Sequence, residues 1–325
     1  MELSTVRDPA AGMAVREAVV ARVDFNGCVL QTDDGALIEA TVRGRLMGPR
    51  KALGNAVVVG DAVRFDVEGE RALIAEVAPR RNVFSRRAAG ERPVEQVVAV
   101  NLDQVVLVAS VADPPFRDGL ADRVLGQAEH AMIPARLAIN KCDVGDPAEA
   151  GAIADAYVRA GYAVHRLSAT TGEGVSELTD ACQGKRTLFV GHSGVGKSTL
   201  LNAMVPGMEL LAGRLNPRTG KGRHTTTAAW MVRVAPGLEL IDTPGVRAFG
   251  LWGIGPRDLD RAYPEFRRVL GHCRFADCRH DAEPGCALRA AVAAGEIAAR
   301  RHASFLKLRE ELERESGRTA GSRRS

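Results

Sequence analysis

The sequence is poor in several features, and each shortage argues against a class of protein. Only 4% of the 325 residues are aromatic, which argues against a large surface for stacking nucleobases. No stretch approaches the roughly 20 uncharged apolar residues that a membrane-spanning helix needs. The N-terminal segment carries Glu2, Asp8 and Glu17 and lacks a clean apolar run before a cleavage site, so no signal peptide is expected. We expect a cytoplasmic protein without a membrane partner.

Cysteine and lysine are also scarce. Three of the six cysteines are isolated, whereas Cys273, Cys278 and Cys286 lie close together. This distribution favours metal binding in a reducing compartment over a disulfide scaffold. Only six of the 44 basic residues are lysine. The net charge is +4, and the basic excess lies after residue 250, which is typical of a neutral core attached to a region that meets polyanions.

Residues 18–78 have the pattern of a small β domain. Five short runs rich in β-branched residues are separated by turn signals such as Asn-Gly and Asp-Asp-Gly. This pattern fits a five-stranded oligonucleotide-binding (OB) barrel, and also any other small barrel or sandwich. Residues 79–95 follow as a basic segment that either contacts phosphate or keeps a linker solvated. Its arginines are Arg80, Arg81, Arg86 and Arg87.

The remainder of the chain changes its rhythm twice. From about residue 96 to 250, apolar runs alternate with helical patterns near 117–131, 147–161, 174–183 and 197–205, which indicates an α/β domain with a mostly parallel sheet. After residue 256 the chain turns helical around the cysteine cluster. The predicted divisions are 1–80 for the barrel, 81–95 for a linker, 96–255 for the α/β domain and 256–325 for a helical domain with a basic tail.

The strongest motif is GHSGVGKS, which follows an apolar strand and opens a helix. Its glycines let the backbone wrap around an anion, and the N–H groups at the helix start point at phosphates. Lys197 would bridge the β- and γ-phosphates, and the Ser198 hydroxyl would hold Mg²⁺. His192 is best explained as a tolerated spacer. The predicted phosphate-binding residues are Gly191, His192, Ser193, Gly194, Val195, Gly196, Lys197, Ser198 and Thr199.

Two further motifs predict that the base is guanine. In NKCD, Asp143 offers two acceptor oxygens to the N1–H and N2–H₂ donors of guanine, a match that adenine lacks. Asn140 and Lys141 would stiffen the loop and cover the base plane. NKCD alone is often only a turn. However, Ser168 and Ala169 end the next strand and supply a backbone N–H for guanine O6. The two motifs together predict GTP and GDP as ligands.

A fourth motif, DTPG, follows another apolar strand. Asp242 would reach Mg²⁺ through a water molecule, and the Gly245 N–H would sense the γ-phosphate. Residues 219–229 lie between this motif and the phosphate loop and include Thr225 and Thr226. Loops rich in hydroxyl groups also occur without a catalytic role. The place of this loop between two phosphate-binding elements favours function, with Thr225 and Thr226 at the nucleotide. One threonine of 225–227 would complete the Mg²⁺ shell; Thr226 is assigned this place, and which of the three holds it stays open.

These motifs resemble those of translation-factor-type GTPases in a permuted order, because NKCD and SAT precede the phosphate loop, the threonine loop and DTPG. Together with GRHTTT and DTPGVRAFGL, this order is similar to the ribosome small-subunit-dependent GTPase A family (RsgA, also called YjeQ) over nearly the whole chain. The resemblance implies a circularly permuted P-loop GTPase domain of the α/β class. An N-terminal OB-type β-barrel and a C-terminal, mainly helical, zinc-binding domain would flank it. It also implies hydrolysis of GTP to GDP and phosphate, stimulated by the small (30S) ribosomal subunit in its late maturation, with rRNA as a partner.

The residue after the DTPG glycine is Val246, which cannot hydrogen-bond to water. Ras-like GTPases orient the attacking water with a polar residue at this place, so slow intrinsic turnover is expected here. The resemblance points to His224, just before the threonines, as the catalytic residue. A purely conformational role for His224 is equally open.

The cysteine cluster has the spacing C-x₄-C-x-H-x₅-C, formed by Cys273, Cys278, His280 and Cys286. Three thiolates and an imidazole suit tetrahedral Zn²⁺. Because the protein fills all four positions, one structural zinc ion is predicted. His272 is an alternative ligand, and free buried cysteines are the alternative to a metal site.

The leading interpretation is an enzyme, a GTPase whose hydrolysis is timed by docking on the immature small subunit. Two other functions stay open. One is a GTP-gated, RNA-binding placement factor in which hydrolysis is incidental. The other is a permuted GTPase that acts on the large subunit. A monomer is expected, because nothing in the sequence resembles a dimer seam.

Overall fold

The computed structural model describes residues 16–24, 27–42, 56–68, 71–88, 90, 93–208, 229–235, 237–246 and 248–322. The strands are β1 (Arg16–Asp24), β2 (Gly27–Gln31), β3 (Leu37–Val42), β4 (Ala62–Glu68), β5 (Arg71–Val77), β6 (Val83–Arg87), β7 (Glu95–Val100), β8 (Gln104–Ser110), β9 (Ala135–Asn140), β10 (Ala163–Arg166), β11 (Lys185–Gly191), β12 (Trp230–Ala235) and β13 (Leu238–Asp242). The α-helices are α1 (Asp118–His130), α2 (Pro147–Arg159), α3 (Val175–Cys182), α4 (Lys197–Met204), α5 (Ala287–Ala293) and α6 (Ala299–Ser322). Two 3₁₀ turns, Leu259–Ala262 and Pro264–Arg268, precede α5. None of the helices in these ranges is both long and apolar enough to span a membrane.

The N-terminal strands form a closed five-stranded barrel. Their order is β1-β2-β3-β5-β4, and pairing between β1 and β4 completes the ring. The β3–β5 pair is parallel, and the other pairs are antiparallel. Alternate side chains fill the interior, where Val20, Leu30, Phe65 and Ile74 are fully buried. Closure leaves no free strand edge in the ring, so this region is a barrel of the predicted OB type and not a sandwich.

The central region is an α/β sheet in the order β10-β9-β8-β11-β13-β12. All of its neighbouring pairs are parallel except the β12–β13 pair. Its central strands β8 and β11 are buried along most of their length, as expected for a sheet covered on both faces. Helices α1 to α4 agree with the four predicted helical segments to within about two residues. This sheet brings the carboxyl ends of β9, β11 and β13 to one edge.

The barrel and the α/β sheet are joined edge to edge. Strand β1 pairs with β12, with Arg22 opposite Trp230, so that the two sheets form one eleven-stranded sheet. Polar contacts fasten the same seam. The Arg186 guanidinium donates to Gly60 O of the barrel at 2.8 Å and to Glu239 at 2.6 Å. Arg233 pairs with the same carboxylate at 2.7 Å.

A β-hairpin begins within the segment 81–95 that the sequence assigns to a linker and continues beyond it to Val100. Strand β6 pairs with β7 in a separate two-stranded sheet. The buried Phe84 ring lies 5.8 Å from the Phe249 ring, and the Arg87 N–H donates to Gly250 O at 2.9 Å. The hairpin therefore contacts the chain just beyond the DTPG motif.

The C-terminal region is helical and docks on α1. Its core forms around Tyr263, Phe266 and Phe305. Arg301 of α6, which is 1% exposed, forms ion pairs with Asp122 of α1 and, at 2.7 Å, with Glu265. Its guanidinium lies 4.8 Å from the centre of the Tyr157 ring and 4.5 Å from that of Tyr263. A buried charge network thus joins the C-terminal region to the α/β domain.

Candidate nucleotide-binding site and cysteine–histidine cluster

The loop that joins β11 to α4 depends on its glycines. Gly194 (φ 88°) and Gly196 (φ 87°) lie in the left-handed region that favours glycine. A Cβ atom on Gly196 would lie 2.4 Å from the Asn140 amide nitrogen. Ser193 and Ser198 are exposed. The loop therefore leaves one face open, at the N-terminus of α4, where an anion is favoured.

Lys197 and Asp242 form a buried ion pair although they are 45 residues apart. The Lys197 ammonium also donates to Thr243 O at 2.5 Å. Burial raises the pKa of Asp242, and the nearby Lys197 charge opposes this shift without cancelling it. The pair places the phosphate-loop lysine beside the DTPG aspartate, the two groups that would serve a nucleotide and its Mg²⁺.

Trp230 is a neighbour of this pair that the sequence did not reveal. It begins β12 and stands opposite Asp242 in the β12–β13 register. A hydrogen bond between the Trp230 side chain and Asp242 lowers the pKa of Asp242, although burial and Lys197 have larger effects on it. No motif marks Trp230, because an aromatic residue at the start of an apolar strand looks like any core residue.

Asn140 links three of the predicted motifs. Its buried side-chain amide donates to Val195 O in the phosphate loop at 2.8 Å and accepts from the Ala169 N–H at 2.9 Å. Lys141, at φ 65°, donates from its ammonium to Gly194 O at 2.8 Å. The Asp143 side chain is exposed at the same edge. NKCD, SAT and the phosphate loop are therefore held as one unit.

The DTPG segment packs against the phosphate loop. A Cβ atom on Gly245 would lie 3.0 Å from Ser193 Cα, and the Val246 N–H donates to Gly191 O at 2.9 Å. The Val246 side chain is 7% exposed and packs in the core with Phe249. The residue in the water-orienting place is thus apolar and turned into the protein.

His192 of the phosphate loop has contacts of its own, and three other predicted site residues lie outside the described residues. The His192 ring contacts Ser193 O (Nδ1, 2.7 Å) and the Arg117 guanidinium (Nε2, 3.3 Å). His224, Thr225 and Thr226 lie outside the described residues, and their roles stay predictions.

The predicted zinc ligands come together in the C-terminal region. The ligand atoms of Cys273, Cys278, His280 and Cys286 all lie within 4.8 Å of one another. His280 Nδ1 is 3.5 Å from Cys273 Sγ and 3.4 Å from Cys286 Sγ, and these two sulfurs are 3.9 Å apart. Tetrahedral zinc with ordinary bond lengths requires about 3.6 Å between nitrogen and sulfur and about 3.8 Å between sulfurs. Cys273, His280 and Cys286 have the donor atoms and the spacing of a structural zinc site, and Cys278 supplies a third thiol within 4.8 Å of the other ligand atoms.

The surroundings of the cluster affect its protonation. The Asp260 carboxylate, 3.9 Å from His280 Nε2, is the largest influence on His280 and, with the nearby thiols, raises its pKa to about 9. Burial, followed by the neighbouring thiols, raises the pKa of Cys278 to about 12. A metal ion bound here would have to displace protons from the thiols, so binding would weaken as the pH falls.

Comparison with known proteins agrees with this geometry. A family model described as RsgA GTPase matches residues 77–252. A Gemmatimonas aurantiaca protein named "Small ribosomal subunit biogenesis GTPase RsgA" is 41% identical over 285 residues, which cover 86% of this chain and 92% of that protein. A Chlorobaculum parvum protein of the same name is 38% identical over 304 residues, covering 91% and 97%.

Solved structures show the same architecture. YjeQ from Thermotoga maritima superposes with a TM-score of 0.72 and 29% identity, covering 92% of this chain and 98% of that one. YloQ, described as a circularly permuted GTPase, superposes with a TM-score of 0.68 and 25% identity, covering 94% and 98%. The circularly permuted GTPase fold predicted from the order of the motifs is therefore confirmed. This chain belongs to the RsgA GTPase family and is a GTP-hydrolysing enzyme.

Proposed function

We propose that this GTPase acts in the late maturation of the small ribosomal subunit, that it binds the subunit's rRNA, and that the subunit stimulates its hydrolysis of GTP. The names of the Gemmatimonas and Chlorobaculum relatives support a role in this maturation, since both proteins are described as small ribosomal subunit biogenesis GTPases. The basic excess after residue 250 supports a polyanionic partner.

The observation that carries the stimulated mechanism is the burial of Val246. Its side chain packs in the core and has no polar group to orient water, so the described residues supply no polar group at this place of the site. A group supplied or positioned on docking would complete the site. His224, which lies outside the described residues, is the candidate.

The nucleotide would be held by the residues that the Asn140 amide joins. Asp143 would accept from guanine N1–H and N2–H₂, and the Ala169 loop would contact O6. The α4 N-terminus and Lys197 would hold the phosphates. Mg²⁺ would neutralise charge between the β- and γ-phosphates, held by Ser198, Thr226 and, through water, Asp242. A single zinc ion on the Cys₃His cluster would be structural.

The test is steady-state GTP hydrolysis by the purified chain alone, with small subunits and with large subunits, and with ATP as the control nucleotide. We expect stimulation on the order of 100-fold by small subunits only, the size of effect that one missing transition-state group gives. Stimulation by large subunits instead would assign the chain to the large-subunit alternative.

A His224→Ala variant separates an enzyme from an affinity switch. If hydrolysis sets function, the variant should bind small subunits with a GTP analogue as the parent does, yet lose stimulated hydrolysis and release from the subunit. Normal release by a variant that cannot hydrolyse GTP would favour the placement-factor alternative.

A further inference from the structure

A cavity of about 240 Å³ lies where the barrel, the β6–β7 hairpin and the segment after β13 meet. Most of the residues that line it are apolar. The barrel and the hairpin contribute valines, among them Val98, together with Arg86 and Gln96, and the α/β domain contributes Thr243, Pro244 and Val246.

Arg86 is the one charged side chain among the described residues that line this cavity. Its Nε donates to the Gln96 side-chain oxygen at 3.0 Å, and among the described residues no carboxylate lies within ion-pair distance of it. Its side chain is half-buried, and burial lowers the pKa of Arg86. The neighbouring Arg87 differs, because its guanidinium pairs with Glu315 at 2.5 Å. A half-buried cation without a counter-charge is costly, and the cavity beside it has room for an anion.

We propose that this cavity is a binding site for a small apolar monocarboxylate whose carboxylate pairs with Arg86. The planar guanidinium fork matches a carboxylate bidentately. A cavity of about 150 Å³ holds benzene, so about 240 Å³ suits a substituted benzene ring or a branched chain of similar size. A multiply charged phosphate fits poorly, because the described residues of the wall offer a single cation, Arg86.

Occupancy of the cavity would be coupled to the nucleotide. Thr243, Pro244 and Val246 belong to the DTPG segment, whose Gly245 is predicted to sense the γ-phosphate, and they also form the wall of the cavity. A carboxylate bound there would contact this segment directly. If the carboxylate binds the GTP-bound or the GDP-bound protein more tightly, then that same nucleotide must bind more tightly when the cavity is filled.

The test uses the full chain and three probes, namely 4-methylbenzoate, its neutral analogue 4-methylbenzamide, and inorganic phosphate, with binding followed by ligand-observed NMR and by thermal unfolding. We expect saturable binding of 4-methylbenzoate, and binding of 4-methylbenzamide and phosphate that is roughly tenfold weaker or more. Equal binding of the amide, or no saturable binding of 4-methylbenzoate, would overturn the proposal.

Two variants locate the site. Arg86→Gln removes the charge and should weaken 4-methylbenzoate binding by about tenfold or more. Without ligand it should melt no lower than the parent, because no ion pair is lost. Val98→Phe should fill the cavity and abolish binding. The control is Arg64→Gln on the barrel surface, whose arginine pairs with Glu17 and Glu76, and it should bind like the parent.

A structural role for Arg86 predicts the opposite pattern, namely a lower melting temperature and unchanged binding in Arg86→Gln. The coupling is tested by repeating the titration with GDP and with a non-hydrolysable GTP analogue. Equal carboxylate affinities in the two states would refute the coupling. Neither measurement involves ribosomal subunits or hydrolysis, so this proposal and the proposed function can fail separately.

Discussion

Two acceptor oxygens on a single exposed side chain, Asp143, carry the selection of guanine in our proposal. Asp143→Asn replaces one acceptor with an N–H₂ donor, which faces the donors of guanine but matches the C2 carbonyl of xanthine. We expect GTP affinity to fall about 100-fold, since two charge-assisted hydrogen bonds are lost, and xanthosine triphosphate binding to appear. Fluorescent-nucleotide titration measures both.

The matched control for that change is Asp146→Asn, three residues further on, where the carboxylate caps α2 by accepting from the Ala148 N–H at 2.9 Å. This variant should keep its preference for GTP. If Asp143→Asn bound GTP as tightly as the parent, the base would be recognised elsewhere.

The candidate nucleotide-binding residues were assigned from motifs that are contiguous in the chain, and their roles stay predictions. The contacts that join these motifs could not be predicted from the sequence. The Asn140 amide contacts Val195, 55 residues away, and Ala169, 29 residues away, and both contacts depend on how three loops meet at one sheet edge. Trp230 was missed because its position opposite Asp242 depends on strand register alone.

At the scale of elements, the contact between α1 and α6 depends on Arg301. Replacing Arg301 with Met leaves the Asp122 and Glu265 carboxylates buried without their cation. We expect the free energy of unfolding to fall by about 3–5 kcal/mol, the cost of breaking a buried ion pair by removing one partner. Urea unfolding followed by circular dichroism measures it.

Its neighbour Arg300 provides the control for this loss. Arg300 pairs with Asp118 and Glu149, but its side chain is 24% exposed and that of Glu149 is 48% exposed. Arg300→Met should therefore lower the free energy of unfolding by about 1 kcal/mol or less.

A double-mutant cycle tests the Asp122–Arg301 pair directly. Asp122→Asn combined with Arg301→Met should lower the free energy of unfolding by less than the sum of the single changes. Strict additivity would contradict a direct pair.

The seam between the barrel and the α/β sheet should respond to acid. Burial acts to raise the pKa of Glu239, but the hydrogen bonds and charges of Arg186 and Arg233 outweigh it and leave this pKa lowered. A carboxyl whose folded-state pKa is depressed stabilises the protein above its unfolded-state value of about 4.3, and this stabilisation is lost as the pH falls through the folded-state pKa.

Glu239→Gln should consequently be less stable than the parent at pH 7, and the difference should shrink as the pH falls below about 4.3. Urea unfolding at a series of pH values measures the two curves. Glu76→Gln, an exposed change on the barrel, is the control and should give a difference near zero throughout. A constant gap between the parent and Glu239→Gln would rule out this titration.

Which elements form was predictable from hydrophobic periodicity, whereas their pairings were not. The five strand patterns of the barrel did not distinguish it from a sandwich, because closure depends on the β1–β4 and β3–β5 pairs between distant segments. The β6–β7 hairpin was obscured by its arginines, which suggested a solvated linker. In the structure Arg80, Arg81 and Arg87 each meet a carboxylate, on Asp61, Asp103 and Glu315 respectively.

For the whole molecule, the cysteine–histidine cluster lies at the edge of the C-terminal core, whose members include Cys286, Leu288 and Phe305. Removing a bound metal would leave three thiols and an imidazole facing one another in a half-buried place. We expect chelation to lower the melting temperature by several degrees and to increase hydrogen exchange in residues 273–293, because metal binding supplies folding free energy here. Elemental analysis should give one zinc ion per chain before chelation.

Chelation should destabilise the C-terminal region and leave nucleotide binding by the α/β domain nearly unchanged. In our proposal the nucleotide binds at the Asn140 unit and the Lys197–Asp242 pair, which lie in the α/β domain, so fluorescent GTP should bind the chelated chain nearly as before. Lowering the pH should mimic chelation, since the pKa of about 12 at Cys278 and of about 9 at His280 mean that protons compete with the metal at both groups. Cys278→Ser should show the chelated behaviour without chelator, whereas Cys182→Ser, at an isolated cysteine in α3 outside the nucleotide motifs, should not. Metal-free protein that kept its melting temperature and its protection in residues 273–293 would show that the apolar core alone holds the C-terminal region together.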